Sequence, residues 1–223
     1  MDFDVDAWRE ELESYRAQKD EQFANARASP LPPEERDGFD GLDYFAPNPD
    51  FRVAATIELV DSDETVTMET TVDGEQLYER AARLRFELED ASGETAEHTL
   101  VAYQRIDYEG GVASDASDPS TDADASVGES LFVPFRDKTT GQQTYSAGRY
   151  MELHTEGASQ SDANSSSGEG TEPRDGQLND GATVPLDFNL AYSPFCAYSD
   201  AYECPLPPRE NWLEVAVPAG ERF

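Results

Sequence analysis

Residues 187–211, DFNLAYSPFCAYSDAYECPLPPREN, hold the side chains whose types and spacing could carry chemistry. Both cysteines of the chain, Cys196 and Cys204, lie here within a run of tyrosines. Such a pair can bind a metal ion, form a disulfide or supply a nucleophile. A structural zinc site needs four ligands at short paired spacings, and only His98 and His154 remain to complete one. We therefore predict no metal and no cofactor.

The state of the two cysteines stays open at this point. A disulfide between Cys196 and Cys204 would close a short loop and stabilise the fold by about 2 kcal/mol in the chain-entropy model. A reducing cytoplasm opposes that bond, and nothing in the sequence marks either thiol as activated for catalysis. We interpret the pair as structural cysteines, free or bridged, with a redox pair as the alternative.

Arg149 is the second residue that points to chemistry. It lies between apolar stretches in the predicted strand TYSAGRYMELHTE, away from the polar loops. Strand alternation places Met151 on its own face and Tyr150 on the opposite face, so we expect the guanidinium to be at least half buried. Gly148 has no side chain, which allows another segment to approach closely.

A buried guanidinium needs a partner, and the sequence offers Asp137, Asp187 and Glu210 for a bidentate pair. An Arg149–Asp187 pair would be a structural clamp that pins the Cys/Pro-rich strap (residues 187–211) over the end of a barrel. Alternatively, the same arginine faces a pocket and binds a ligand. For that alternative the candidate ligand-binding residues are Arg149, Tyr150, Asp187, Asn189, Tyr192 and Glu210.

The stretch LDFN is predicted to form a short strand. Asp187 and Asn189 then lie on one face, and Leu186 and Phe188 lie on the other. If the apolar pair faces the core, the polar pair faces solvent. In a barrel wide enough for a ligand the interior can be partly polar, and the polar pair can line it.

The net charge indicates the salt concentration in which the protein works and excludes some classes of binding partner. Asp and Glu total 48 against 16 Lys and Arg, which gives a net charge of −32, and the acidic residues are spread along the chain. At molar salt the Debye length falls to about 3 Å and screens the self-repulsion, so we predict a protein of a halophile. A polyanion without a basic patch excludes nucleic acid and anionic membranes as partners. A small molecule remains as a possible partner, and the oligomeric state stays open.

The elements that position these residues are one helix and a series of strands. A helix is predicted over residues 6–27, because apolar side chains recur on one face, at Val5, Trp8, Leu12, Tyr15 and Phe23. From Phe51 the apolar period changes to two, in RLRFELE, HTLVAYQRI, SLFVPFRD and finally WLEVAVPAG. We predict a single domain over residues 1–223 that is mainly β. Its architecture is an antiparallel barrel or highly curved sheet, lipocalin-like by analogy, with one N-terminal α-helix.

Residues 110–129 and 156–181 are predicted to be acidic low-complexity loop inserts. They are rich in Gly, Ser and Asp and hold hardly any large apolar residue. No segment is apolar over the roughly 18 residues that cross a bilayer. The N-terminus MDFDVDAWREELESY also lacks the basic and apolar regions of a signal peptide. We therefore expect a cytoplasmic protein.

Three stretches carry a resemblance to a known family: WREELESYRAQKDEQF with the following SPL, LFVPFRDKTTGQQTYSAGRYMEL, and LDFNLAYSPFCAYSDAYECPLPPREN. The motifs are a hairpin ending in Gly-Arg-Tyr at residues 148–150, then DFN-x-AY-x-P-x-C and CP-x-PP-x-EN at residues 187–211. In these motifs the chain resembles a domain-of-unknown-function family of bacteria and halophilic archaea, which implies an archaeal relative. Ser146 and Ala147 stand where that family more often has glycines. The resemblance implies a shared fold and a shared site, and it implies no reaction.

Three classes of function remain. The first is a small-molecule-binding β-barrel protein whose ligand is anionic or hydroxylated, since an arginine lies beside tyrosines. The second is an enzyme that uses a carboxylate near Arg149, from Asp187 or Glu210, as a general base. The third is a structural or interaction protein whose aromatic strap binds another chain. We favour the first class as the working hypothesis.

Stability is predicted to depend on salt because of the net charge of −32. Dilution from molar to about 0.1 M salt lengthens the Debye length from about 3 Å to about 10 Å and restores the repulsion between carboxylates. We expect the melting temperature to fall on dilution, as followed by circular dichroism. A melting temperature that stays constant over this range would contradict the adaptation to high salt.

Overall fold

The computed structural model of the protein describes residues 3–60, 65–106, 130–154 and 178–223. The predicted insert 110–129 lies outside these residues, and so does the part 156–177 of the second predicted insert. Within the described ranges, no helix is both long and apolar enough to cross a membrane.

The N-terminal helix, α1, spans Val5–Asn25. Its start is fixed by Asp4, whose carboxylate accepts hydrogen bonds of 3.1 Å from two amides of the first turn, as an N-cap residue does. The helix ends before the predicted residue 27. The Ser29 hydroxyl donates to the carbonyl oxygen of Phe23 at 2.5 Å and so helps to turn the chain back.

The buried face of α1 differs from the predicted apolar stripe. It follows helical spacing and includes two charged residues, its members being Trp8, Leu12, Arg16, Lys19 and Phe23. Tyr15, which the pattern assigned to the same face, is 40% exposed. Hydropathy does not reveal a buried charge, because burial of a charge depends on partners from distant segments.

A short helix, α2 (Pro33–Arg36), and seven strands follow α1 in the described chain. The strands are β1 Arg52–Leu59, β2 Thr65–Glu69, β3 Glu75–Glu89, β4 Thr95–Arg105, β5 Ser130–Phe135, β6 Arg149–His154 and β7 Thr183–Asp187. Their pairings are antiparallel. They form one sheet in the order β6-β5-β4-β3-β1-β7, and β2 pairs with β3.

The long strand β3 curls this sheet. Its first half, from Glu75, pairs with β2, and its second half, from Ala82, pairs with β1. Its register against β4 shifts between Arg80 and Ala82, and such a bulge bends a strand. The result is a curled half-barrel, which confirms the prediction of a mainly β fold with a highly curved antiparallel sheet and an N-terminal helix.

A backbone bridge links β6 at one edge of the sheet to the segment that follows β7 at the other edge. β6 and β7 lie at opposite ends of the strand order. Tyr150 in β6 and Tyr192, shortly after β7, nevertheless exchange two backbone hydrogen bonds of 2.9 Å. This bridge brings the strap beside the hairpin formed by β5 and β6.

The core lies on the inner face of the curl. On β3 the alternation predicted from RLRFELE is observed, with buried positions at Leu84, Phe86 and Leu88. The C-terminal segment covers the inner face with a second alternating set, Leu213, Val215, Val217 and Ala219. The prediction that WLEVAVPAG is a strand is wrong. It forms one isolated bridge, Arg136 to Trp212, and its later carbonyl groups bind a side chain instead of a strand.

Asn211 joins β4 to β5 where these strands separate. In the described chain β4 and β5 share one register pair, Tyr103 with Phe132. The Asn211 side chain is fully buried and accepts from the amide of Val101 at 2.8 Å. It donates to the carbonyl oxygens of Val101 and Pro134 at 2.8 and 2.7 Å. The side chain therefore satisfies backbone groups that strand pairing leaves open.

We expect Asn211→Ala to lower the free energy of unfolding by about 3 kcal/mol or more, because each buried group left unpaired costs about 1–3 kcal/mol. Asn25→Ala is the matched control, since its side chain reaches only Glu21 at an exposed position, and a loss below about 0.5 kcal/mol is expected there. Urea denaturation in molar potassium chloride measures both. If Asn211→Ala and Asn25→Ala lose the same free energy of unfolding, the Asn211 side chain does not join β4 to β5.

Candidate functional site

The predicted ligand-binding residues lie in separate surroundings. Arg149 contacts the C-terminal segment, and Asp187 and Asn189 contact helix α1. Tyr150 and Tyr192 pack against the cysteines, and Glu210 contacts β3 and β4. The polar groups of these residues are thus bonded to other parts of the chain. Their role as one ligand site stays a prediction that these contacts do not favour.

Arg149 begins β6 and is 1% exposed. Its Nη2 donates to Oδ2 of Asp137 and to the carbonyl oxygen of Val217, both at 2.8 Å. Its Nη1 donates to the carbonyl oxygens of Ala219 and Glu221. The guanidinium thus joins Asp137, two residues after β5, to three alternate carbonyls of the C-terminal segment, which is the geometry of a structural clamp.

Gly148 permits this arrangement. Its φ of +109° lies in the left-handed region, which side chains rarely adopt. A Cβ atom there would also lie 2.7 Å from the carbonyl oxygen of Phe135. Only glycine therefore lets the chain enter β6 this close to the end of β5.

The predicted Arg149–Asp187 pair is wrong, and Asp137, which the sequence offered as an alternative, is the partner. Asp187 ends β7, at the opposite edge of the sheet from β6. There its Oδ2 accepts from the indole Nε1 of Trp8 at 2.7 Å. The Nε atom of Arg52 lies 3.7 Å from the same oxygen. Asp187 therefore fastens α1 to the sheet.

Asn189 contacts Asp187 through a turn and not along a strand. The prediction that LDFN is a strand holds for Leu186 and Asp187, which end β7, and is wrong for Phe188 and Asn189. The partner strand β1 begins opposite Asp187, and Phe188–Leu190 form a 3-10 turn. Oδ1 of Asp187 accepts from the amide and from Nδ2 of Asn189, both at 2.9 Å. Oδ1 and Nδ2 of Asn189 also bind the backbone of Asn48 at 2.9 and 2.8 Å.

Glu210 fastens the strap to the outer part of the sheet. Its Oε1 accepts from the hydroxyl of Tyr103 on β4 at 2.6 Å. The same oxygen accepts from Nε of Arg80 on β3 at 3.0 Å and lies 2.9 Å from Nη2. Burial, together with the Glu210 carboxylate, raises the pKa of Tyr103 above its ordinary value.

The cysteine–tyrosine cluster comprises Tyr145, Tyr150, Tyr192, Cys196, Tyr202 and Cys204. Neither Cys196 nor Cys204 forms a disulfide in the described part of the chain. Cys204 is 7% exposed, whereas Cys196 is only partly buried. The hydroxyl of Tyr150 donates to the carbonyl oxygen of Pro205 at 2.5 Å, and the hydroxyl of Tyr192 donates to Glu152 at 2.9 Å. The partly buried thiol is thus framed by phenols that are already bound.

Cys196 has the surroundings of an activated thiol. Its amide donates to Sγ of Cys204 at 3.3 Å. Hydrogen bonding with the Cys204 thiol, and further with Thr71 and Tyr145, lowers the pKa of Cys196 to about 7, although burial acts in the opposite direction. The sequence does not predict this activation, because Thr71 and Tyr145 are distant along the chain. In the described part of the chain, no three His, Cys, Asp or Glu side chains are placed to hold a metal ion.

A buried ion pair that the sequence does not predict joins α1 to the C-terminal segment. Nζ of Lys19 lies 2.8 Å from Oε1 of Glu221, and the two side chains are 4% and 1% exposed. Oε2 of Glu221 accepts from the amide of Ser193 at 2.7 Å and from the hydroxyl of Tyr198 at 3.0 Å. The ammonium also lies 4.5 Å from the ring centroid of Tyr192. The only signal in the sequence is the rarity of lysine.

The arginine–tryptophan surface consists of Arg136, Arg209 and Trp212. Trp212 is 40% exposed, and the guanidinium carbons of Arg136 and Arg209 lie 4.7 and 5.2 Å from the centroid of its ring. Among the residues that the structure describes, neither guanidinium has an ion-pair partner. Sequence reasoning misses this surface because a tertiary bridge between Arg136 and Trp212 brings it together.

A curled antiparallel half-barrel, covered by its own C-terminal segment and bonded to an N-terminal helix, is the class of domain that these contacts define. The chain belongs to the family described as protein of unknown function (DUF1684), whose model matches residues 37–222. This range contains the cysteine–tyrosine cluster and the arginine–tryptophan surface. The resemblance to a family of unknown function is confirmed to that extent.

A solved structure is similar over the whole chain. It is the solution NMR structure of the uncharacterized protein from gene locus rrnAC0354 of Haloarcula marismortui, a halophilic archaeon. The two sequences are 45% identical, the match covers 100% of this chain and 98% of that chain, and the TM-score is 0.63. None of the curated proteins matches the chain.

The clamp predicts a specific double-mutant cycle. Arg149→Met and Asp137→Asn should each lower the free energy of unfolding by about 3–5 kcal/mol, because each leaves a buried partner uncompensated. The double variant should lose less free energy of unfolding than the sum of the two single losses, since the two side chains share one interaction. Arg149→Met combined with Asp187→Asn should instead be additive within about 0.5 kcal/mol. Chemical denaturation in molar salt gives all values, and the reverse pattern would make Asp187 the partner.

Proposed function

We propose that the protein binds a small anionic molecule at the arginine–tryptophan surface. The observation that carries this proposal is the pair of guanidinium groups beside an exposed indole, without an ion-pair partner among the described residues. The chain has 48 acidic and 16 basic residues. In such a chain, two arginines left without carboxylates form a local positive site that an anion can neutralise.

The backbone beneath this surface is well anchored. The amide of Arg136 donates to the carbonyl oxygen of Asn211 at 3.0 Å, and the amide of Leu213 donates to that of Arg136 at 2.7 Å. The indole Nε1 of Trp212 donates to the carbonyl oxygen of Pro207 at 2.9 Å. Nη2 of Arg136 also donates to the carbonyl oxygen of Ser146 at 3.1 Å. These bonds hold the indole and the Arg136 guanidinium in place before a ligand arrives, which reduces the ordering entropy that binding costs.

The chemistry of the surface favours a carboxylate or phosphate. Guanidinium groups bind such groups through two parallel hydrogen bonds. At molar salt the Debye length is about 3 Å, so long-range attraction is screened and chloride competes for the same positions. An anion must therefore make several direct contacts, and a planar anion that also covers part of the indole does so.

The alternatives near Arg149 have less support. A general base must come within hydrogen-bonding reach of its substrate. The carboxylate beside Arg149 belongs to Asp137, whose side chain is 1% exposed. Its oxygens accept from Arg149 and from the amide of Thr139 at 2.8 and 2.6 Å. These contacts suit a clamp, and a hydroxylated ligand at the same place would have to displace them.

We infer the cytoplasm of a halophile as the setting. The acidic composition and the relative from a halophilic archaeon support this inference. A carboxylate-rich surface keeps a protein hydrated at high salt. Nucleic acid and membranes are not proposed as partners, since two neighbouring arginines do not form the extended basic patch that they require.

The test is a titration of the full chain with benzoate and with inorganic phosphate in molar potassium chloride, followed by NMR of the indole groups. We expect at least one of these anions to shift the Trp212 signal and not that of Trp8, which is 8% exposed and bound to Asp187. Arg136→Gln and Arg209→Gln should each weaken binding about tenfold or more, because a charged hydrogen bond contributes about 1.5–3 kcal/mol.

Arg83→Gln is the matched control, because it makes the same charge change at an exposed position of β3. Its affinity should equal that of the unchanged protein. Benzyl alcohol, the neutral counterpart of benzoate, should leave the Trp212 signal in place. An unmoved Trp212 signal with both anions, or equal weakening by Arg83→Gln, would overturn the proposal.

A further inference from the structure

The two thiols of the cysteine–tyrosine cluster are held close by different parts of the fold. Cys204 lies in a segment that pairs with the end of β2, where its amide donates to Oγ1 of Thr71 at 3.3 Å and its carbonyl accepts from the Thr71 amide at 3.0 Å. Cys196 lies in the turn Phe195–Ala197. The amide of Cys196 is 3.3 Å from Sγ of Cys204. The Cys204 thiol is also the largest of the influences that lower the pKa of Cys196, so the two cysteines act on each other within the cluster.

The two thiols differ in access. Cys204 is buried, whereas Cys196 is partly exposed. A reagent from solvent is therefore expected to react with Cys196 before it reacts with Cys204. This is the arrangement of an attacking thiol and a resolving thiol.

The surroundings also favour attack by Cys196. Its hydrogen bonds lower its pKa to about 7, so a large fraction is thiolate at neutral pH. The thiolate is the nucleophilic form, and thiols whose pKa is near the ambient pH attack disulfides fastest.

We propose that Cys196 and Cys204 form a thiol–disulfide exchange site whose substrate is a low-molecular-weight disulfide. The Cys196 thiolate attacks one sulfur of the small disulfide, forms a mixed disulfide and expels one small thiolate. Cys204 then gives up its proton to water, and its thiolate attacks the Cys196 sulfur. The mixed bond breaks and the second small thiolate leaves. The protein loses two electrons and two protons, and the small disulfide becomes two thiols.

This site does not depend on the proposed anion binding. The thiols belong to the cluster around Tyr150 and Tyr192, and the anion surface is built on Arg136, Arg209 and Trp212. Either proposal can therefore fail while the other holds.

The experiment treats the reduced full chain with bis(2-hydroxyethyl) disulfide, a neutral probe that the net charge does not repel, in molar potassium chloride. Intact-mass spectrometry should show the loss of two hydrogen atoms and no lasting adduct, and dithiothreitol should restore the starting mass. Cys204→Ser should stop at the mixed disulfide, with one adduct per chain. Cys196→Ser should react at least about tenfold more slowly, because Cys204 is buried.

A second measurement does not depend on how the variants fold. Brief exposure of the unchanged protein to the probe, followed by acid quench and peptide mapping, should place the transient adduct on Cys196 and not on Cys204. An adduct on Cys204, a stable mixed disulfide in the unchanged protein, or no reaction at either thiol would overturn the proposal. Circular dichroism of both serine variants in the same salt shows whether they are folded.

Discussion

The buried guanidinium of Arg149 is the interaction on which the covering of the half-barrel depends. The C-terminal segment lies across the inner face of the sheet without joining it as a strand, so its carbonyl groups lack strand partners. Arg149 donates to the carbonyls of Val217, Ala219 and Glu221, and Asp137 balances its charge. Buried carbonyls without donors would oppose folding, and a buried guanidinium without a carboxylate would do so as well.

Glu221 links this clamp to the helix. Its carbonyl oxygen accepts from Arg149, and its carboxylate binds Lys19 of α1. Arg16, one turn earlier on α1, donates to the carbonyl oxygens of Phe45 and Asn189 at 2.9 and 3.3 Å. In the part of the chain that the structure describes, Arg16, Lys19 and Arg149 lie in the interior, and each holds together segments that are distant in sequence. The acidic residues are left to dominate the surface, which is consistent with a chain whose solved relative comes from a halophile.

The strap and the residue that follows it carry both proposed sites, and the fold explains why. Asn211 and Glu210 fasten the end of the strap to β3, β4 and β5, which places Trp212 beside Arg136. The pairing of the strap with the end of β2 fixes Cys204, and the bridge between Tyr150 and Tyr192 fixes the turn that holds Cys196. Side chains on a segment held at several points are positioned reproducibly, as a binding or reactive site requires.

The sequence by itself determined the local periodicities, and with them the class of fold. The alternation in RLRFELE predicts the buried face of β3, and the apolar spacing from Trp8 to Phe23 predicts α1, because both patterns depend on neighbouring residues alone. It also identified Arg149 as buried. Only the tertiary structure decided that Asp137 and not Asp187 is its partner, that Lys19 is buried, and that Cys196 meets Cys204 as an activated thiol. These contacts depend on the curl of the sheet and on the backbone carbonyls of the C-terminal segment, which does not pair as a strand. Neither feature is encoded in the hydropathy of a single segment.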